Sequence, residues 1–233
     1  MPGMADEIEM KFHVPDLRAI RRALRRAGAT YLGSAVQSDE YFDTPDGRLL
    51  GADCGLRLRR VRLLRRGGKA ACDTRPVLTF KGPADRTRRA KVRREVQARL
   101  DNADAVAEIL AAAGLTRTVL IEKRRVSYRL AGCLVELDEL PLLGTFVEIE
   151  GAGQKPLMLL AARLGLSGEP IRDHYITLLR RRCRRVGARC ATVTRKGCPG
   201  CRHRPPQPTG EPRERKKDPD GLEPWEGHRR MES

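Results

Sequence analysis

Charged and apolar residues alternate strictly at the start of the chain, where Glu7, Glu9 and Lys11 are interleaved with Ile8, Met10 and Phe12. In an extended strand this spacing puts the three charges on one face and the apolar side chains on the other. The same period returns downstream. Arg57 and Arg59 lie in Leu56-Arg57-Leu58-Arg59, Lys81 closes Leu78-Thr79-Phe80-Lys81, and Lys91, Arg93, Glu95 and Gln97 alternate with Val92 and Val96. Lys123 then shares a face with Arg125, Glu136 with Asp138, and Glu148 with Glu150 about Ile149. An antiparallel sheet with one solvated face would account for any single ladder. It accounts poorly for the set, because solvated faces mix Ser, Thr, Gln and Lys, whereas here the positions are charged and the signs segregate by strand.

The pattern predicts strands over residues 31–36, 39–42, 56–63, 77–81, 91–100, 120–130, 133–137 and 145–150. Turns fall at Thr44-Pro45-Asp46-Gly47, Gly67-Gly68 and Ala131-Gly132. Helical spacing replaces the two-residue period four times. Pro15-Asp16 starts a helix whose stripe is Leu17, Ile20 and Leu24 and which stops at Gly28. A second spans 103–113, capped by Asp101 or Asn102 and ended by Gly114, and two more are expected near 156–164 and 173–182. Aligning Glu9 with Glu95 places Gly28 on Gly114, both 19 residues later, so strand, helix and strands occur twice. A duplicated half of this kind builds naturally into a closed antiparallel barrel.

If the barrel closes with the charged faces inward, acids and bases line one cavity, which is too costly to bury dry. Such a cavity requires water, metal and a polyanion. Paired carboxylates suit hard divalent ions such as Mg2+ or Mn2+, which take oxygen ligands and bridge to substrate phosphates. The Arg and Lys set suits the phosphate oxygens themselves.

Length and composition divide the chain. Its 233 residues accommodate a domain over 5–182 and a basic, Pro-rich tail over 187–233 that is expected to be disordered. Residues 180–233 hold 16 Lys+Arg against 7 Asp+Glu, so +9 of the net +17 belongs to the C-terminal end rather than to the ladders. No run is apolar enough to span a membrane and no secretory leader is evident, which places the protein in the cytoplasm. Seven scattered cysteines without paired spacing argue for reduced thiols.

Taken in order, the motifs resemble those of the CYTH family, the triphosphate tunnel metalloenzymes. They are Glu7-x-Glu9-x-Lys11, Asp39-x-Tyr41-Phe42-Asp43, Leu56-Arg57-Leu58-Arg59, Thr79-x-Lys81-Gly82, Arg93-x-Glu95, Glu122-Lys123-x-Arg125, Glu136-x-Asp138 and Leu143-Gly144-x-Phe146-Val147-Glu148-Ile149-Glu150. The resemblance covers about residues 5–180. It implies an α+β fold, a tunnel of eight antiparallel strands flanked by helices. It also implies Glu7, Glu9, Asp138, Glu148 and Glu150 as ligands for Mg2+ or Mn2+. Lys11, Arg57, Arg59, Lys81, Lys123 and Arg125 would hold and activate a triphosphate, with Arg93 as a further wall contact.

The implied activity is hydrolysis of the triphosphate group of a small inorganic or organic substrate. Cyclisation of ATP, as in class IV adenylyl cyclases, is the alternative, and a non-catalytic polyphosphate or nucleotide sensor is a third reading. No residue is marked as a reader of adenine. Cys198-Pro-Gly-Cys201, with Cys190 and His203, has the look of a zinc knuckle but lacks a second pair. The tail arginines could hold nucleic acid only electrostatically, since Trp225 is the tail's single aromatic residue. His174, beside Tyr175, is expected as an ordinary helix position that could also approach the tunnel mouth.

Overall fold

Strands with one charged and one apolar face can bury the apolar face only by meeting a second layer, and here that layer is helical. The computed structural model describes residues 5–65, 70–85, 90–185, 192–194 and 198. The chain runs β1 (Ala5–His13), α1 (Leu17–Arg26), β2 (Thr30–Asp43), α2 (Arg48–Gly51), β3 (Gly55–Leu64), β4 (Ala70–Asp73), β5 (Val77–Lys81) and β6 (Lys91–Arg99). It continues through α3 (Ala103–Ala112), β7 (Thr116–Leu130), β8 (Cys133–Leu140), β9 (Gly144–Glu150), α4 (Gln154–Arg163), α5 (Tyr175–Arg185) and β10 (Thr192–Val193).

Hydrogen-bonded neighbours follow the order β7-β2-β3-β5-β6-β1-β9-β8, and β8 pairs back to β7. The eight strands therefore close into an antiparallel barrel, as the ladders predicted. β4 pairs with β3 outside this ring, and β10 runs parallel to β7 against Leu120 and Ile121. The strands expected at 31–36 and 39–42 are one strand, β2, because alternation continues through Gln37-Ser38 and both edges are paired, to β3 and to β7.

The duplication is visible in the elements. β6, α3 and β7 begin at residues 91, 103 and 116, each 86 positions after the starts of β1, α1 and β2 at 5, 17 and 30. Asp16 caps α1 by accepting the Arg18 N–H at 2.8 Å, and Asn102 caps α3 by accepting the N–H groups of Asp104 and Ala105, both at 3.0 Å. Each helix is followed by a glycine in the left-handed region, Gly28 at φ 77° and Gly114 at φ 83°, where a side chain would be strained.

The main hydrophobic core lies outside the barrel. Met10, Phe12, Val135, Leu137, Val147 and Ile149 face outward and pack against Leu17, Ile20 and Leu24 of α1 and Leu157 and Leu160 of α4. A smaller cluster fixes α3 over β2, β3 and β5 through Phe42, Leu58 and Ala103.

At one end of the barrel the inward positions turn apolar. Lys123 gives way to Ile121 and Val119, Asp138 to Leu140, and Glu148 to Phe146, and these pack against Tyr175, Ile176 and Leu179 of α5. Val193 of β10 and Cys198 join this cluster with Cys183, so these described residues of the C-terminal stretch are anchored to the barrel. Cys190, Cys201 and His203 of the zinc-knuckle spacing, the Gly67-Gly68 turn, and the rest of the tail lie outside the described residues.

Candidate active site

Ion pairs that skip a strand show that the ladders face one another across the barrel. Lys81 on β5 reaches Glu7 on β1 at 2.6 Å, and Arg125 on β7 reaches Glu148 on β9. Register sets the rest: Lys11 lies opposite Glu148, Glu9 opposite Lys91, and Asp39 opposite Arg59. The corresponding contacts are Lys11 to Glu148 at 3.2 Å, Lys91 to Glu9 at 3.3 Å, and Arg59 to Asp39 through two bonds of 2.6 and 2.7 Å.

Asp138 is the centre of the densest knot and is fully buried. It accepts from Arg125 Nε at 2.6 Å, from Lys123 Nζ at 2.9 Å and from the Tyr175 hydroxyl at 3.0 Å. Burial alone would raise its pKa, but Arg125 and Lys123 outweigh it and hold the carboxyl below the ordinary range. Glu148 is mostly buried, which would raise it, yet Lys11 and Arg125 hold it well below the ordinary range. Lys123 is pushed down to about 8 by burial and by Arg125, against the pull of Asp138.

Two arginines break this balance. Arg57 has only a long contact, 3.4 Å from Nη2 to Thr79 Oγ1, and its buried Nε has no acceptor. Arg93 has a side chain with no exposure, and none of its three guanidinium nitrogens is hydrogen-bonded; Asp53 stands 3.9 Å away. Unsatisfied buried donors are expensive.

All the sequence-predicted residues lie on the barrel strands, and most meet in the interior. Glu150, the exception in burial, is exposed at the end of β9 remote from α5. Four residues given no site role by the sequence are nevertheless part of the wall: Asp39 and Thr79, which stand within the motifs, and Asp53 and Tyr175, which stand outside them. Asp43 is structural, since its carboxylate accepts the N–H groups of Thr44, Leu49 and Leu50 and so builds α2. His174 reaches the wall too, with Nε2 3.5 Å from Asp53.

Carboxylates crowd toward the end remote from α5. Glu9 and Glu150 are register partners, as are Glu136 and Glu148. Burial raises Glu7 to about 7, opposed by Lys81 and reinforced by Glu9 and Glu95. Partial desolvation, then neighbouring carboxylates with Glu136 first, also raise Glu150 even though its side chain remains exposed. Among the described residues no ready-made cluster of metal-ligating side chains is formed, because Lys11, Lys81, Lys91 and Arg125 occupy the carboxylates instead. The donor set itself, all oxygen and mutually repelling, fits a hard divalent cation.

Tyr175, at the start of α5, ties the knot together. Its ring lies 4.1 Å from Lys11 Nζ and 5.0 Å from Lys123 Nζ, and meets Phe146 edge-on at 5.2 Å. Tyr175→Phe keeps the ring and loses the bond to Asp138, and is expected to cost about 2 kcal/mol. Tyr175→Leu also removes the cation-π contacts, for roughly 2 kcal/mol more. Urea denaturation of the two variants checks this; equal losses would contradict it.

Similarities to known proteins agree with this geometry. The CYTH domain family matches residues 5–163. A protein of Methanocaldococcus jannaschii named as a putative adenylate cyclase is 25% identical over 145 residues, 62% of this chain and 75% of its own. The solved structure of the PH1012 protein of Pyrococcus horikoshii has a TM-score of 0.61 at 26% identity, covering 74% of this chain and 98% of its own. HpAC1 from Hippeastrum, described as a putative adenylyl cyclase that reveals a dominant triphosphatase activity, shares the fold at a TM-score of 0.56 and 20% identity, over 75% of this chain and 95% of its own. With more than half its length matched and the charged barrel that the match entails, the chain belongs to the CYTH domain family.

Proposed function

We propose that the protein is a metal-dependent phosphohydrolase acting on the triphosphate group of a small inorganic or organic substrate held inside the barrel. The observation that carries this reading is a pair of inward arginines, Arg57 and Arg93. The buried Nε of Arg57 and all three guanidinium nitrogens of Arg93 make no hydrogen bond, and Arg93 has only Asp53 at 3.9 Å among the described residues, whereas Lys11, Arg59, Lys81, Lys123 and Arg125 are closely ion-paired. An anion with several oxygens supplies those acceptors, and arginine forks match phosphate geometry. Hydrolysis is favoured over cyclisation because the two rings at the α5 end of the barrel, Tyr175 and Phe146, are packed against each other rather than open to stack on a base.

Phosphoryl transfer asks the protein mainly for positioning and charge neutralisation. Arg57 and Arg93 would anchor the phosphates, with Lys11, Arg59, Lys81, Lys123 and Arg125 exchanging part of their carboxylate contacts for phosphate oxygens. Glu7, Glu9, Glu148 and Glu150 would hold Mg2+ or Mn2+. Asp138 is assigned to the wall, because its oxygens are taken by Arg125, Lys123 and Tyr175. A divalent ion bound there supplies charge neutralisation and a more acidic water.

Lysine protonation gives a pH signature. Lys123 and Lys91 are each pushed down to about 8, chiefly by burial. An incoming polyanion favours their charged forms, so tripolyphosphate binding in metal-free buffer at pH about 8 takes up protons, and affinity falls as pH rises through that value. Calorimetry in two buffers of different ionisation enthalpy measures the uptake; release of protons would be the wrong sign.

The activity is tested with the full chain, Mg2+ or Mn2+, and tripolyphosphate, ATP or thiamine triphosphate, recording both phosphate and cyclic AMP. Metal-dependent phosphate release is expected. Cyclic AMP from ATP would establish the cyclase alternative, and thermal stabilisation by triphosphate without product would establish a sensor. Absence of both turnover and stabilisation would sink the tunnel reading altogether.

A further inference from the structure

Beside the α5 end of the barrel lies a cavity of about 390 Å3. One wall is α5 with the turn before it; the other is α2, Asp53, residues 84–85 and Lys91. The volume is at the small end of ligand sites. Its chemistry is unlike that of a site for an organic head group, since Leu50 is the one large apolar side chain in the lining and His174 supplies the one ring.

The lining is basic. Lys91, Arg172, Arg180, Arg181 and Arg184 face three carboxylates, Asp53, Asp85 and Asp173. Arg181 pairs with Asp173, and Asp53 already accepts the Ala84 N–H at 3.1 Å. Arg180 and Arg184 have no carboxylate partner among the described residues. On the inner wall, the buried Nε2 of His174 makes no hydrogen bond and lies 3.5 Å from Asp53. Burial, then Lys91, Arg93 and Lys11, hold the His174 imidazole far below its ordinary pKa, a direction that an anion in the cavity would reverse.

We infer that this cavity is a second anion site, separate from the triphosphate-holding interior, and that it takes a phosphate-class oxyanion: free orthophosphate, or the end of a linear polyphosphate longer than tripolyphosphate. Excess positive charge selects an anion. The missing aromatic platform excludes a stacked base. Arg180 and Arg184, which line the cavity without a carboxylate partner among the described residues, supply the donors. The site adjoins the barrel interior at Lys91, whose Nζ lies 3.3 Å from Glu9 inside the barrel while the residue lines the cavity outside.

The test is two-stage calorimetry on the full chain in EDTA at constant ionic strength. Tripolyphosphate is titrated first, to one equivalent, which fills the barrel interior with its larger set of donors and leaves the cavity open. Orthophosphate is then titrated into this 1:1 complex, with chloride as the control. Saturable orthophosphate binding is expected in the second stage. It should weaken by about tenfold or more in Arg180→Ser/Arg184→Ser, the worth of one charge-assisted hydrogen bond, with the first stage unchanged. A longer polyphosphate that binds more tightly than tripolyphosphate, and loses that advantage in the double variant, would identify a chain end as the occupant. Absence of both effects, or equal binding in the variant, overturns the second site. Failure of the first stage alone would count against the interior and leave the cavity standing.

Discussion

Arg57→Met is expected to lower kcat/KM for the triphosphate substrate by roughly 10²- to 10³-fold, the scale of losing one preorganised donor to transition-state charge. The same variant should leave the melting temperature unchanged or slightly raised. The two outcomes share one cause. Arg57 is partly buried on β3 with a buried Nε that nothing accepts and a single long contact to Thr79, so in the free protein its charge is undercompensated. Methionine, about as long as the aliphatic stem of arginine, removes that cost and keeps the packing of the stem. Once a polyanion occupies the barrel, the guanidinium becomes its partner and the loss is felt in full. Steady-state kinetics and a thermal melt on one preparation check both halves. A variant that loses stability in step with activity would make Arg57 a structural residue, and one with wild-type kinetics would remove it from the site.

Much of this architecture is legible in the chain because a two-residue period says which side chains share a face. Glu7, Glu9 and Lys11 had to lie together, and so did Lys91, Arg93 and Glu95. Closure was also suggested by the internal repeat, which the 86-residue offsets of the elements bear out. What the period cannot say is which acid meets which base. That depends on strand order, and β1 lies between β6 and β9, some 80 and 140 residues away along the chain. Asp138 illustrates the consequence. Its spacing from Glu136 resembles a metal-binding pair, and only the closure of β8 against β7 shows that Lys123 and Arg125 bond its oxygens. Tyr175 was equally invisible, since a helix start carries no sign that its ring will enter the end of a barrel. Strand β10 had no periodic signal, being two residues long.

Asp138→Asn should be among the most destabilising single changes available, at about 3–5 kcal/mol, because it leaves Arg125 and Lys123 buried with their shared counterion gone. For a domain of this size that corresponds to a fall in melting temperature of roughly 10 °C. The pH dependence has a definite sign. The folded-state pKa of Asp138 is depressed, so its contribution is fully present above the ordinary aspartate range of about 4 and is lost as pH falls through the lower folded value. The gap between wild type and variant is therefore widest near neutrality and narrows in acid. Denaturant titrations at pH 7 and pH 3 measure it. The same comparison separates two roles for the residue. A metal ligand changed to asparagine would weaken Mg2+ or Mn2+ binding while the metal-free protein kept its stability, even gaining some from relief of repulsion with Glu148. A wall residue shows the opposite: a large loss without any metal present, and metal affinity reduced only as far as Glu148 is disturbed through Arg125.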